Sequence, residues 1–102
     1  MIGRRSRFRD VVVRQLDLFG GEEAGLLRDC GAALDAYRRA PRGEAEERYG
    51  DYVDLVDAAR EALERLRDGY ADTLDESTAP EYRALFNRLA RRRYPDLALE
   101  LE

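Results

Sequence analysis

Histidine, tryptophan and lysine are absent from this chain, and cysteine, isoleucine and asparagine each occur once. Without histidine there is no imidazole to activate a serine or cysteine nucleophile. The Glu-x-x-His pairs that hold di-iron centres in four-helix bundles are equally ruled out. The single cysteine, Cys30, forms no internal disulfide, which suits a reducing compartment. Long apolar runs are missing too. With a mean hydropathy of −0.66, no segment reads as a membrane span. The start, "MIGRRSRFRD", has the basic flank of a signal peptide, twin arginine included, but "VVVRQLDLF" after it is broken by Arg14 and Asp17. No apolar h-region or small-residue cleavage site follows, so the expected location is the cytoplasm.

What remains is charge and helix-forming residues. In 102 residues, 39% are charged and 44% hydrophobic, enough for one domain with one modest core. All 18 basic residues are arginine, a bias that GC-rich codons produce, so the arginine excess alone does not indicate phosphate recognition. The net charge of −4 is unevenly spread. Residues 1–14 carry five arginines against Asp10, residues 15–82 eight arginines against 18 acids, and residues 83–93 five arginines and no acid. The pattern is an acidic body with two basic patches, suited to a polar partner or to electrostatics within a dimer.

Pro41, Pro80 and Pro95 punctuate the chain, and the periodicity between them is helical. At about 100° per residue, Phe8, Val12, Gln15, Leu16, Phe19, Leu26, Leu27, Cys30, Ala33, Leu34 and Tyr37 form one stripe within roughly 60° of its axis. Gly20-Gly21 costs about 1 kcal/mol per glycine in a helix, yet the apolar phase is the same on both sides. The expectation is one long helix over about residues 5–39, kinked at 20–21, with two shorter collinear helices as the alternative. "APRGE" then reverses the chain. A second helix over residues 44–73 carries a seam of Ala45, Tyr49, Tyr52, Val56, Ala59, Leu63, Leu66, Tyr70 and Leu74 at alternating steps of four and three, as in an antiparallel coiled coil. Pairing residues whose numbers sum to about 82 sets Tyr37 near Ala45, Cys30 near Tyr52, Phe19 near Leu63 and Val12 near Tyr70. In "STAPEYRALF", Thr78 and Glu81 form a capping box that starts a third helix ending before Pro95. The tail from 95 to 102 reads as an extended segment, a brief helix or a frayed end. The fold class is therefore all-α: a single helical domain over 1–102, with a basic arm at 1–6, a long antiparallel hairpin and a shorter third helix.

At about 1.5 Å per residue the hairpin is roughly 45–50 Å long and the third helix only about 20 Å. The third helix cannot cover the tip half of the hairpin. A second copy packed there makes a four-helix core, and Leu27, Leu34, Tyr37, Tyr49, Tyr52 and Leu55 are the expected homodimer contacts. Measured from Tyr52, the acids Asp51, Asp54 and Asp57 fall at about 260°, 200° and 140°, pointing away from the seam. With Glu61 and Asp68 they form an outer acidic face, either solvated or docking a basic partner. Gly50 lies at about 160° on that outer side, so the hairpin itself does not call for it. Cys30 sits on the seam as a packing thiol. Glu23, near the seam, is expected to pair with Arg60 or with an arginine of the third helix. The arginine clusters at 4–9 (Arg4, Arg5, Arg7, Arg9) and 88–93 (Arg88, Arg91, Arg92, Arg93) are the candidate basic contacts. Nucleic-acid binding through them conflicts with a pI near 5.0 and the lack of a recognition motif. The third-helix cluster more simply offsets that helix's C-terminal dipole.

The stretches "FRDVVVRQLDLF", "EAEERYGDYVDLVD", "LRDGYADTLDE" and "EYRALFNRLARRRYPDLALELE" resemble small helical proteins of GC-rich actinobacteria, a likeness running over residues 7–102. It implies a bacterial cytosolic origin and a helical fold, and it brings no activity or functional residues. The expectation is a homodimeric adaptor or regulator acting through protein–protein contacts, with no catalytic residue, cofactor or metal. The alternative is a nucleic-acid-associated protein using the two arginine clusters.

Overall fold

The computed structural model describes residues 7–98 and 101. Those residues form five α-helices and a short 3-10 turn, with no strand among them: α1 (Arg9–Glu22), α2 (Ala24–Arg39), the turn Arg42–Glu44, α3 (Ala45–Ala71), α4 (Ala79–Arg93) and α5 (Pro95–Ala98). The molecule measures 55 × 22 × 20 Å, with a radius of gyration of 16.0 Å. A compact chain of this size has a radius near 13 Å, so one end of the hairpin does extend beyond the rest.

Every fourth or third residue at the start of the chain faces inward. Phe8, Val12, Leu16 and Phe19 are all buried, as the helical stripe demands. The helix runs straight through Gly20 and Gly21. It breaks at Glu23, whose backbone (φ −105°, ψ 24°) leaves the helical region for one residue. The single long helix expected over 5–39 is therefore two helices, and the break falls two residues beyond the glycine pair. Its position follows the packing: α1 lies mainly against α4, whereas α2 lies along α3. The chain changes direction where it passes from one neighbour to the other. Gly20 has a different role. A Cβ there would lie 2.8 Å from the Tyr94 hydroxyl. That hydroxyl donates to the Leu16 carbonyl at 3.3 Å, and the Tyr94 ring meets Phe19 edge-on at 5.3 Å.

Pro41 ends the hairpin's first arm. It sits at φ −63°, ψ 158°, and Ala40 before it is extended at ψ 139°, the bias proline imposes on its predecessor. Along α3, burial rises from tip to base. Tyr49 is 50% exposed, Tyr52 and Val56 are half-buried, and Ala59 and Leu63 are fully enclosed. The Tyr37 ring meets Tyr49 at 5.2 Å, one helical turn from its expected neighbour Ala45. At the base, Tyr70 packs on Tyr82 of α4 at 4.8 Å.

The capping box at the start of α4 does not form. Thr78 occupies the N-cap position without a side-chain cap. Asp75 takes over: its carboxylate accepts the Thr78 N–H at 2.8 Å and the Ser77 hydroxyl at 3.0 Å. An aspartate three residues earlier wins because the 75–78 turn already bends as a helix, with the Ala79 N–H on the Asp75 carbonyl. Helix α4 is then enclosed on several sides, burying Ala79, Tyr82, Leu85, Phe86, Asn87, Leu89 and Ala90. Of the three forms open to the tail, the brief helix is the one adopted. Pro95 starts α5, and Leu97, Ala98 and Leu101 are buried beneath it. Between residues 24 and 58 only Cys30 is buried.

The two adjacent glycines should respond oppositely to alanine. Nothing lies within 4 Å of a Cβ at Gly21, so Gly21→Ala is expected to stabilise the fold by roughly 0.5–1 kcal/mol through helix propensity. Gly20→Ala should forfeit that gain because Tyr94 must move, and Tyr94→Phe in the same chain should restore part of it. Urea denaturation of the three variants measures this.

Candidate functional site

Two polar clusters lie inside the base, and both are spent on the fold. The Tyr82 hydroxyl donates to the Gln15 side-chain carbonyl, so the one polar member of the first-helix stripe serves the one phenol at the centre of the core. Burial holds the Tyr82 pKa well above the ordinary phenol value, with the neighbouring Tyr70 adding to the shift. Arg67, only 7% exposed, reaches Asn87 at 3.0 Å and Asp68 at 2.8 Å. Arg83 joins it, at 3.0 Å from Asp68 and 3.4 Å from Asp72. The pair of arginines, Arg67 above all, holds the Asp68 carboxyl below its usual range. Sequence inspection did not single out Arg67 or Asn87. The signal was present: Arg67 lies at about 60° from the seam axis through Tyr52, on the packed side of its helix.

The expected acidic face is partly neutralised within the chain. Asp51 faces Arg48 at 3.9 Å and Asp57 pairs with Arg60 at 2.9 Å. Asp68 belongs to the Arg67 network. Asp54 and Glu61 are exposed and make no ion pair among the described residues. Nothing approaches a Cβ built at Gly50 on the same outer side. Arg60 also reaches Glu64 at 4.0 Å. Glu23 makes no ion pair among the described residues, so the seam bridge expected for it with Arg60 or a third-helix arginine does not form: the i,i+3 and i,i+4 partners on Arg60's own helix are nearer.

The arginine clusters are similarly divided. Arg7 pairs with Glu81 at 3.6 Å, Arg93 with Asp17, and Arg91 donates to the Leu101 carbonyl. Arg9, Arg88 and Arg92 are exposed. Arg4 and Arg5 lie outside the described residues, as does the whole basic arm at 1–6.

Large apolar side chains remain uncovered in two places: Val13 and Leu18 on the outside of α1, at 39% and 50% exposed, and the tip of the hairpin. Tyr37 and Tyr49 are 36% and 50% exposed, while Leu27, Leu34, Tyr52 and Leu55 are half-buried. All six belong to the two arms of the hairpin beyond the reach of α4. The α5 turn closes the lower end of this region and leaves a cleft on either side of Tyr52. One cleft, of about 230 Å³, is walled by Tyr49, Tyr52, Val56, Asp57, Arg60 and Asp96. The other, of about 270 Å³, runs over Leu27, Cys30, Leu34, Tyr52, Tyr94 and Leu97. Asp96 and Leu97 line both, a contribution from the tail that periodicity in the hairpin could not show. Burial, then Asp96, Cys30 and Tyr49, push the Tyr52 phenol above its usual pKa, while Arg38 acts against them. Burial and, secondarily, Asp29 push the Cys30 thiol up, which keeps it in the protonated form. Among the described residues no group of three or more carboxylates and thiols is placed to hold a metal ion, and no helix is long and apolar enough to cross a membrane.

No protein family, curated protein or solved structure matches this chain.

The depressed carboxyls fix the sign of an acid response. Asp68 and Asp75 both titrate below their ordinary value in the folded state. Their contribution to stability is complete above the unfolded-state pKa, near 4, and is lost as pH falls through the lower folded values. The denaturation midpoint is expected to drop between about pH 5 and pH 3. Asp68→Asn should lower stability at neutral pH and flatten that drop. An unchanged pH dependence in Asp68→Asn would place the acid sensitivity elsewhere.

Proposed function

We propose that this chain is a cytosolic protein–protein interaction module, an adaptor or regulator, that works by contact rather than catalysis and assembles as a homodimer. The observation that carries the reading is the half-built bundle. Helix α4 has 15 residues against the 27 of α3, and the tip half of the hairpin buries only Cys30. Two amphipathic helices side by side cannot enclose their own seam, and a second pair laid across them completes a four-helix core. Leu27, Leu34, Tyr37, Tyr49, Tyr52 and Leu55 are the proposed contacts. Tyrosine suits such a surface, since its ring buries well and its hydroxyl tolerates water.

The outer acidic face is a second place for a basic partner, with Asp54 and Glu61 its unpaired members. The alternative reading, a nucleic-acid-associated protein using the arginines at 4–9 and 88–93, has less support. Arg7, Arg91 and Arg93 direct their guanidinium groups at atoms of the same chain, which leaves fewer charges for phosphate.

Sedimentation equilibrium tests the assembly. The chain should run at twice its 11.7 kDa at micromolar concentration. Tyr37→Ser with Tyr49→Ser should run as the monomer while keeping its helical circular dichroism, because both rings are exposed. A wild-type chain that stays monomeric throughout would remove the homodimer. Capture of a host protein by the wild type but not by the double variant would then leave the adaptor reading standing.

A further inference from the structure

The cleft beside Tyr52 contains one carboxylate without a cation. Asp57 and Arg60 neutralise each other across 2.9 Å, and Arg60 extends to Glu64. Asp96, on the exposed side of the α5 turn, makes no ion pair among the described residues. Around it stand the rings of Tyr49 and Tyr52, whose centroids are 6.3 Å apart. A carboxylate beside two aromatic faces is the chemistry that receives a guanidinium: the carboxylate takes the N–H groups, and a ring takes the flat cationic face. A cleft of about 230 Å³ has room for the head group and part of its stem.

The matching cations lie on the same chain at the far end of the uncovered half. Arg39 closes α2 and Arg42 opens the 3-10 turn. Both are exposed and make no ion pair among the described residues. Their neighbour Arg38 already acts electrostatically on Tyr52 of its own chain. From the start of α3 at Ala45 to the cleft at Asp57 is twelve residues, about 18 Å of helix. Two tip halves stacked antiparallel over that length would set the turn of each copy on the cleft of the other. A two-fold axis makes both contacts at once, since residue i meets j wherever j meets i.

We propose that Asp96, with Tyr49 and Tyr52, is a socket for a turn arginine, Arg39 or Arg42, of a second copy of this chain. This rests on the homodimer reading and adds its register: tip over cleft, antiparallel, with two symmetric arginine contacts at the ends of an apolar seam. The socket lies at the lower rim of the apolar tip, so its charge pair selects the register while the leucine and tyrosine contacts supply most of the area.

Charge exchange tests the register. Asp96→Arg and, separately, Arg39→Glu with Arg42→Glu should each raise the dimer dissociation constant by roughly tenfold or more. The three changes together should bring it back toward the wild-type value. Analytical ultracentrifugation measures the constants, and circular dichroism checks that each variant folds. The milder Asp96→Asn serves if the reversal perturbs the α5 turn, with a smaller weakening expected. A dimer whose constant is unchanged by both Asp96 variants overturns the socket and leaves the homodimer intact. Weakening by both single-site sets without recovery in the combination overturns the pairing of Asp96 with these arginines. A wild-type chain that never dimerises overturns the socket and the homodimer together.

Discussion

The burial of Tyr82 at the centre of α4 is the constraint on which the rest of the structure depends. Its ring is fully enclosed, with Phe8 edge-on at 5.5 Å, Tyr70 at 4.8 Å and Phe86 at 6.1 Å. Those three rings come from the start of the chain, the end of the hairpin and α4 itself. A fully buried aromatic of this kind contributes on the order of 1.5–3 kcal/mol. It does so only if its hydroxyl finds a partner, because an unpaired buried polar group costs about 1–3 kcal/mol. Gln15 provides that partner from α1. The tyrosine therefore ties three segments together and demands a polar residue in an otherwise apolar stripe.

Seating α4 at the base sets the shape of the whole molecule. The third helix is shorter than the hairpin, so it can enclose one end only. Where it is present, α1 turns toward it and the seams close. Where it stops, the α5 turn covers a little more and α2 meets α3 alone. The bend at Glu23 and the close approach of Tyr94 to Gly20 mark the boundary between these two regimes. Below it most large apolar side chains are buried, Val13 and Leu18 of α1 excepted. Above it Tyr37 and Tyr49 stay partly in water.

At the base, arginines bind within the chain: Arg67 and Arg83 to the acids of α3, Arg93 to Asp17, Arg91 to the tail carbonyl. The Arg83 and Arg93 pairs join separate helices and add orientation to a core that apolar packing holds. Exposed pairs such as Asp51 with Arg48 contribute little to stability. At the tip, Arg39, Arg42, Asp54 and Asp96 make no ion pair among the described residues, and the same holds for Arg9, Arg88 and Arg92 at the base.

Helix positions, the all-α class and the inward faces could be read from the order of residues, because they depend on local terms. The stripe through Phe8, Val12, Leu16 and Phe19, the proline stops and the breadth of the Tyr49-to-Leu74 seam are properties of one helix at a time. The short reach of the third helix could be read too, since length follows from residue count. Three features depended on tertiary structure. The helix bends at Glu23 and not at its glycines because α4 and α3 pull its two halves differently. Arg67 meets Asn87 across twenty residues. Asp96 of the tail lines a cleft with Tyr52 of the hairpin. Each requires two segments to be brought together in space, and periodicity along a single helix carries no information about which neighbour will fill the groove beside it.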